Sequence, residues 1–258
     1  MNPPLILVTN DDGITAPGIR RLIHAMNGLG TVVVVAPDSP QSGMGHAITL
    51  QDSLRLRPMQ IDAGPQTEYS CSGTPVDCVK LALHEVLKDR KPDLIVSGVN
   101  HGSNASVNVI YSGTMSAAVE GAMQAVPSIG FSLLDSRWDA DFSALEPYLK
   151  QIARNVLDQG LPKGTCLNVN FPHADKAPYA GVRVARQALG FWKEEFEERF
   201  DPYGKPYFWM RGDYFNPDGA TDTDIWALDN GYVSVVPTHF DLTAHGALLD
   251  LKGRLDQQ

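Results

Sequence analysis

Two consecutive aspartates, Asp11 and Asp12, close a short apolar run in Thr9-Asn10-Asp11-Asp12-Gly13. Adjacent carboxylates repel, and at the end of a buried strand the pair is costly unless a cation compensates. The competing reading is an Asx-turn that caps the next helix, and a lone Asp-Gly would be read that way. A second polar stretch, Ala36-Pro37-Asp38-Ser39-Pro40-Gln41-Ser42-Gly43-Met44-Gly45, either offers the Ser42 hydroxyl and the backbone N–H groups around Gly43 to an anion or is a flexible connector. A third, Ser97-Gly98-Val99-Asn100-His101-Gly102-Ser103-Asn104, is followed closely by Tyr111-Ser112-Gly113-Thr114. Gly98, Gly102 and Gly113 let the backbone approach a ligand, and a helix beginning at 112–115 presents its N–H groups to a phosphate while Ser112 or Thr114 caps it. Two carboxylates, a hydroxyl, amide side chains and an anion nest form an oxygen-only set, which suits a hard cation such as Mg²⁺ or Mn²⁺. Zinc and thiol chemistry find no support, because the seven histidines are dispersed and no H-E-x-x-H or paired-cysteine spacing occurs. His46 and His101 lie in these loops and read as ordinary hydrogen-bonded histidines. Neither G-x-G-x-x-G after the first apolar run nor G-x-x-x-x-G-K-[ST] is present, which disfavours a dehydrogenase and a P-loop NTPase.

The elements that must position these loops are legible as hydrophobic periods. Residues 5–8 form a short apolar run, Pro17 sits where a helix begins with Ile19, Leu22, Ile23 and Met26 at helical spacing, and 31–36 is a second β-branched run. Strand, helix, strand within about thirty residues is the βαβ unit with its right-handed crossover. The alternation continues as helix 75–87, strand 93–97, helix 115–124, strand 128–133, helix 142–157 and strand 166–169, with a last strand over 232–236. Near-continuous apolar strands interleaved with helices predict a three-layer α/β fold, a mostly parallel sheet covered on both faces. Loops at the carboxyl ends of such strands are where ligands bind. Residues 51–71 alternate around Leu54, Leu56 and Met59 and predict a small antiparallel excursion. Past residue 178 the texture turns aromatic. Phe191, Trp192, Phe196, Phe200, Tyr203, Tyr207, Phe208 and Trp209, with a turn signal at Asp201-Pro202-Tyr203-Gly204, predict a long hairpin that extends the core or, as the marginal stability of a lone two-stranded ribbon favours, packs on another subunit. One domain over 1–187 and 216–258, with an oligomerisation arm over 188–215, is the organisation this predicts.

Composition bounds the partners. Among 258 residues, 21 are basic and 30 acidic, a net charge of −9, and no Lys/Arg run exceeds two residues. Duplex nucleic acid and anionic membranes need a basic face and are disfavoured, whereas small anions remain possible where a metal or backbone N–H groups reverse the local field. The three cysteines, Cys71, Cys78 and Cys166, form no C-x-x-C pair, which fits a reducing cytoplasm, and neither a signal peptide nor a membrane span is legible.

The segments LVTNDDGITAPGI (7–19), APD-x-x-QSG (36–43), SGTPVDCV (72–79), SGVNHGSN (97–104), YSGTMSAAVEG (111–121) and DTDIWALDNGYVSVVPTHFDLTAH (222–245) resemble the survival protein SurE family of nucleotidases. The resemblance implies a divalent-metal-dependent phosphatase acting on nucleoside 5′- and 3′-monophosphates, in some members also on short polyphosphate. It also implies a Rossmann-like core with a carboxy-terminal arm exchanged between subunits of dimers or tetramers. Carried over by position, the metal ligands fall on Asp11, Asp12, Ser42 and Asn100, with Asp11 and Asp12 catalytic. Phosphate or substrate contacts are expected at Asn10, Gly43, Asn104, Ser112, Gly113 and Thr114. One cation would neutralise charge on the transferring phosphoryl group while Asp11 or Asp12 orients or deprotonates water, the alternative being an aspartyl-phosphate intermediate. Many members carry an arginine where this chain has Ser39, so a phosphate contact from that position is not carried over. Asp241 and His245 are linked by the resemblance to arm packing or site support, a surface ion pair being the alternative. A non-catalytic nucleotide sensor and a hydrolase mainly of polyphosphate are the rival functions.

Overall fold

Leu5, Ile6, Leu7 and Val8 are all buried, so the first strand is covered on both faces. The computed structural model describes residues 3–256. In chain order the elements are β1 (Leu5–Thr9), α1 (Pro17–Asn27), β2 (Thr31–Pro37), β3 (Leu56–Met59), β4 (Thr67–Cys71), α2 (Pro75–Leu81), β5 (Leu94–His101), α3 (Gly113–Met123), β6 (Ser128–Leu133), α4 (Glu146–Gln159), β7 (Thr165–Phe171), β8 (Val182–Val184), β9 (Phe191–Phe200), β10 (Pro206–Phe215), α5 (Asp224–Asp229), β11 (Val233–His239) and α6 (Leu248–Leu255).

Nine strands form one sheet in the order β3-β4-β2-β1-β5-β6-β7-β11-β8. From β4 to β7 every neighbouring pair is parallel, whereas β3 on β4 and β11 on β7 are antiparallel. Alternating side chains divide the core. Ile6, Val8, Val32, Val34, Leu94 and Val96 face α1 and α4, and Leu5, Leu7, Val33, Val35 and Ile95 face α2 and α3. From β1 the chain moves one way to β2 and later the other way to β5, so the sheet changes winding direction between β1 and β5. That crevice is where open α/β sheets bind ligands.

The mostly parallel three-layer fold is as the sequence predicts, with instructive differences at the elements. The segment 51–71 is antiparallel only in β3; β4 joins β2 in parallel and extends the main sheet. The helix expected over 75–87 is α-helical to Leu81 and then widens into a π-turn over Ala82–Val86. The helix expected from 142 begins as α-helix at Glu146, after a 3-10 turn over Ser143–Leu145. Pro147 explains that start, since its locked φ and missing N–H suit only a first turn.

The predicted hairpin is present. Among the described residues, its ten-residue strands β9 and β10 pair only with each other and form a separate two-stranded sheet. Apart from the half-buried Tyr214, its aromatic side chains are exposed in the protomer, up to Tyr203 at 87%.

A buried carboxylate ties the second loop to α3. Glu120 accepts hydrogen bonds from Lys80 Nζ (2.7 Å), Gln124 Nε2 (3.0 Å) and, across 3.2 Å, the His46 ring. Burial alone would raise this carboxyl, but His46, Lys80 and Gln124 together pull it down to about 2. A carboxyl depressed by folding stabilises above its ordinary pKa of 4.5 and loses that contribution as pH falls toward about 2. Glu120→Gln is therefore expected to lower stability by about 1–2 kcal/mol at neutral pH, a figure reduced by the solvent exposure of Lys80 and His46. Urea midpoints of the two proteins should converge as the pH drops below 4; a constant gap would show that packing rather than charge carries the effect.

Candidate active site

The turn after β1 is built around the two aspartates. Asn10 Nδ2 donates to the Gly13 carbonyl (2.9 Å), closing the turn, while Asn10 Oδ1 is buried without a partner. The Asp11 backbone carbonyl accepts from Gln41 N (2.7 Å), and Ile14 N donates to the Pro37 carbonyl (2.8 Å), so the loops after β1 and β2 are laced together. The Asp11 side chain is buried, and its Oδ1 accepts the Thr114 hydroxyl from the first turn of α3. Gly113 makes that approach possible, because a Cβ there would lie 2.7 Å from Asp11 Cβ and 2.8 Å from Oδ2. Burial, with Asp12 beside it, pushes the Asp11 carboxyl up to about 6 against the opposing pull of Thr114. Burial raises Asp12 as well, opposed by the His101 backbone N–H, which donates to Asp12 Oδ2 at 3.1 Å. Two neighbouring carboxyls, both lifted, are the electrostatic signature of an acid pair that lacks a counter-charge.

At the end of β5 the pairing with β6 shifts register between Ser97 and Asn100. Such a bulge re-aims side chains. Gly98 is required in it: its φ is +122° and a Cβ would sit 2.2 Å from the Phe131 carbonyl oxygen. Beyond the bulge, Asn100 Nδ2 donates to the Gly102 carbonyl (2.9 Å), which leaves the amide oxygen free to accept a hydrogen bond or bind a cation. His101 stacks on Trp138 with ring centroids 5.5 Å apart, meets Phe142 edge-on, and places Nδ1 2.8 Å from the Arg137 carbonyl oxygen.

These loops open onto a cavity of about 800 Å³ whose lining includes Asp11, Ser42, Gly43, Asn100, Asn104 and Ser112. Six of the expected residues thus meet on one surface. Asn10, Gly113 and Thr114 lie behind Asp11, where they shape and hold it, and Asp12 is half-buried beside the lining. Asn104 is also structural: its N–H donates to Asn170 Oδ1 (2.9 Å), its side-chain amide to Ser132 Oγ (2.8 Å), and its carbonyl accepts from Asn168 Nδ2 (2.8 Å). Ser112 caps α3 by accepting from Met115 N (2.9 Å). Ser39 pairs with Asp38 on the surface, and Asp241 and His245 form an exposed pair at 2.9 Å.

Sequence reasoning missed the outer part of the lining, where Asn108, Trp192, Tyr214 and Asp229 join the cavity. Its only signal was the aromatic density of the arm, read as an intersubunit surface. No group of three or more His, Cys, Asp or Glu fit to hold a metal occurs among the described residues. The donor set here is instead two carboxylates, a hydroxyl and an amide, all hard oxygen.

Residues 6–194 match the family described as Survival protein SurE. The chain belongs to the SurE family. Among its relatives, the protein named 5'-nucleotidase SurE from Flavobacterium psychrophilum is 60% identical over 96% of this chain and 96% of its own length. A protein of the same name from Cytophaga hutchinsonii is 61% identical over 96% and 95%. The SurE protein of Aquifex aeolicus, known from a crystal structure, superposes with a TM-score of 0.83 at 40% identity, covering 98% of this chain and 100% of that one. Among the described residues, no helix of this SurE-family chain is long and apolar enough to cross a membrane.

Proposed function

We propose that this SurE-family protein is a nucleotidase, a divalent-metal-dependent phosphomonoesterase that hydrolyses nucleoside 5′-monophosphates, and also 3′-monophosphates, to nucleoside and phosphate. The observation that carries the reading is the Asp11–Asp12 pair at the β1/β5 crevice, with both carboxyls lifted, on the rim of a cavity in the size range of small-molecule sites. The residues fit a hard cation: Asp11 Oδ2, Asp12 Oδ1, the Ser42 hydroxyl and the Asn100 amide oxygen would hold Mg²⁺ or Mn²⁺, and the orphaned buried Asn10 Oδ1 adds to the unmet acceptor character of this turn. When bound, the cation supplies positive charge opposite the phosphoryl oxygens.

The rest of the chemistry belongs to the chain. Thr114 and Gly113 fix Asp11 so that Oδ2 is left for the cation, and Asp11 or Asp12 orients the attacking water and takes its proton through a carboxylate lone pair not given to the cation. The N-terminus of α3, with Ser112 on the lining, adds backbone dipoles favourable to an anion. The decisive experiment is a panel of nucleoside 5′- and 3′-monophosphates, short polyphosphate and other phosphoesters, run with Mg²⁺ or Mn²⁺ and again in excess EDTA. Nucleotide hydrolysis that EDTA abolishes supports the reading, and hydrolysis indifferent to EDTA, or absent, overturns it.

The same proposal extends to assembly: a single domain over 1–187 and 216–258, working in the cytoplasm as a homodimer or homotetramer with residues 188–215 packed on a second subunit. All three cysteines are buried and unpaired, as a reducing compartment keeps them. A ribbon with Phe196, Phe200, Phe208 and Trp209 exposed needs a cover. Replacing 191–210 by a short Gly/Ser bridge is expected to convert the oligomer into monomer or aggregate, read by light scattering. A soluble monomer for the intact chain would refute the arm's role.

A further inference from the structure

The inner part of the cavity is polar and charged, and the outer part is walled by the base of the arm. Trp192 and Tyr214 face each other across the hairpin register and meet edge-on with centroids 5.8 Å apart. Tyr214 is seated by Gly190, where a Cβ would lie 1.9 Å from its hydroxyl oxygen. Trp192 Nε1 donates to Asn108 Oδ1 at 2.8 Å, which fixes the indole in the plane of that bond and leaves Asn108 Nδ2 as a donor. The indole remains 37% exposed and lines the cavity. His101 cannot serve as a stacking platform, because its ring already packs on Trp138 and Phe142.

We propose that Trp192, carried into the cavity by the arm and held by Asn108 and Tyr214, is the surface on which the nucleobase stacks, so that the arm sets the preference for nucleotides over base-free phosphoesters. The inference rests on the nucleotidase reading of the same site. A phosphate seated at Asp11, Ser42 and Asn100 directs the sugar and base outward. Asp229 on the outer lining reinforces that polarity, since its carboxylate repels a phosphate placed there. A fixed indole offers a large π face at little entropic cost, and every base has a face to match. Tyr111 also lies on the lining, but it is the more exposed ring at 53%, and its hydroxyl makes no hydrogen bond among the described residues.

The test compares AMP with ribose 5-phosphate, which keeps the sugar phosphate and lacks the base, and adds calorimetric binding of adenosine, which lacks the phosphate. Stacking on an aromatic side chain is worth roughly tenfold or more per base, so Trp192→Ala is expected to lower the ratio of kcat/KM for AMP to that for ribose 5-phosphate by about that factor, mainly through KM. Adenosine affinity should fall in step, and Trp192→Phe should restore most of both. Should Trp192→Ala fail to fold, Trp192→Leu keeps apolar bulk without a π face and is expected to lower the same ratio. An unchanged ratio with unchanged adenosine binding would overturn the proposal, as would an equal loss on both substrates. A native protein that binds adenosine through Trp192 yet hydrolyses neither phosphoester would sink the nucleotidase reading while upholding the stacking surface.

Discussion

Asp11→Asn is expected to abolish most phosphatase activity and, in the metal-free protein, to raise thermal stability. The loss follows from removing one of two ligand charges at the point where the transferring phosphoryl group develops negative charge. Taking about 4 kcal/mol from that stabilisation is roughly a thousandfold in rate. The gain follows from burial: Asp11 is almost wholly inside the protein with Asp12 next to it, and both effects oppose its ionisation. Asparagine keeps the side chain's size and can still accept from Thr114 while carrying no charge. Stability and activity moving in opposite directions is the pattern of a ligand held under electrostatic strain. Thermal melts in EDTA alongside steady-state rates with Mn²⁺ give both readouts, and full activity in the variant would remove Asp11 from the site. Loss of activity with a lower melting temperature would instead make Asp11 a structural residue.

The second large effect is expected at Asp224, which is not part of the cavity lining. Its carboxylate is completely buried and accepts three backbone N–H groups: Ser106 at 2.7 Å, Ala188 at 2.9 Å and its neighbour Ile225 at 2.8 Å. Ser106 adopts φ +53°, an uncommon conformation for a residue with a Cβ, and its hydroxyl donates to the Ala188 carbonyl and accepts from Gly190 N. One carboxylate thus fastens the loop below the cavity, the entry to the arm and the start of α5. Asp224→Asn turns an amide group toward one of these N–H donors, and about 2–4 kcal/mol of stability should be lost, because unpaired buried donors forfeit their hydration without recompense. Urea denaturation checks the size, and protease nicking near 188–190 checks the place. A midpoint within error of native would mean that the loop and arm hold without it.

The layered fold was legible because β1, β2, β5 and β6 are largely buried apolar runs, and α1 and α4 carry a clear 3.6-residue stripe. β4, with Thr67, Glu68 and Ser70 among its five residues, carries no such run, and its parallel place beside β2 depends on tertiary context. β8 is three exposed residues and α5 six, too short for a period to register. In the site, the loops that carry Asp11, Asp12, Ser42 and Asn100 could be picked out as short polar segments at the ends of apolar strands, while the resemblance to the SurE family singled out those four residues within them. Their supports could not, since Thr114 reaches Asp11 across 103 residues of chain and Asp224 reaches Ser106 across 118. Trp192 shows the limit most plainly: an aromatic-rich stretch is compatible with an interface or with a pocket wall, and only the hydrogen bond to Asn108 places this residue at the pocket.

The hairpin's isolation from the nine-stranded sheet has a consequence for how the protein breathes. The ladder of β9 and β10 is closed on itself, so its amides owe nothing to the large sheet and should open as a separate cooperative unit. In a lone protomer those amides are expected to exchange with deuterium orders of magnitude faster than the amides of β1 and β5, which opening of the whole sheet alone would release. Burial of the ribbon against another chain would slow the same amides in a concentration-dependent way while leaving β1 and β5 unaltered. Deuterium uptake along β9 and β10 thereby becomes a gauge of self-association that needs no label.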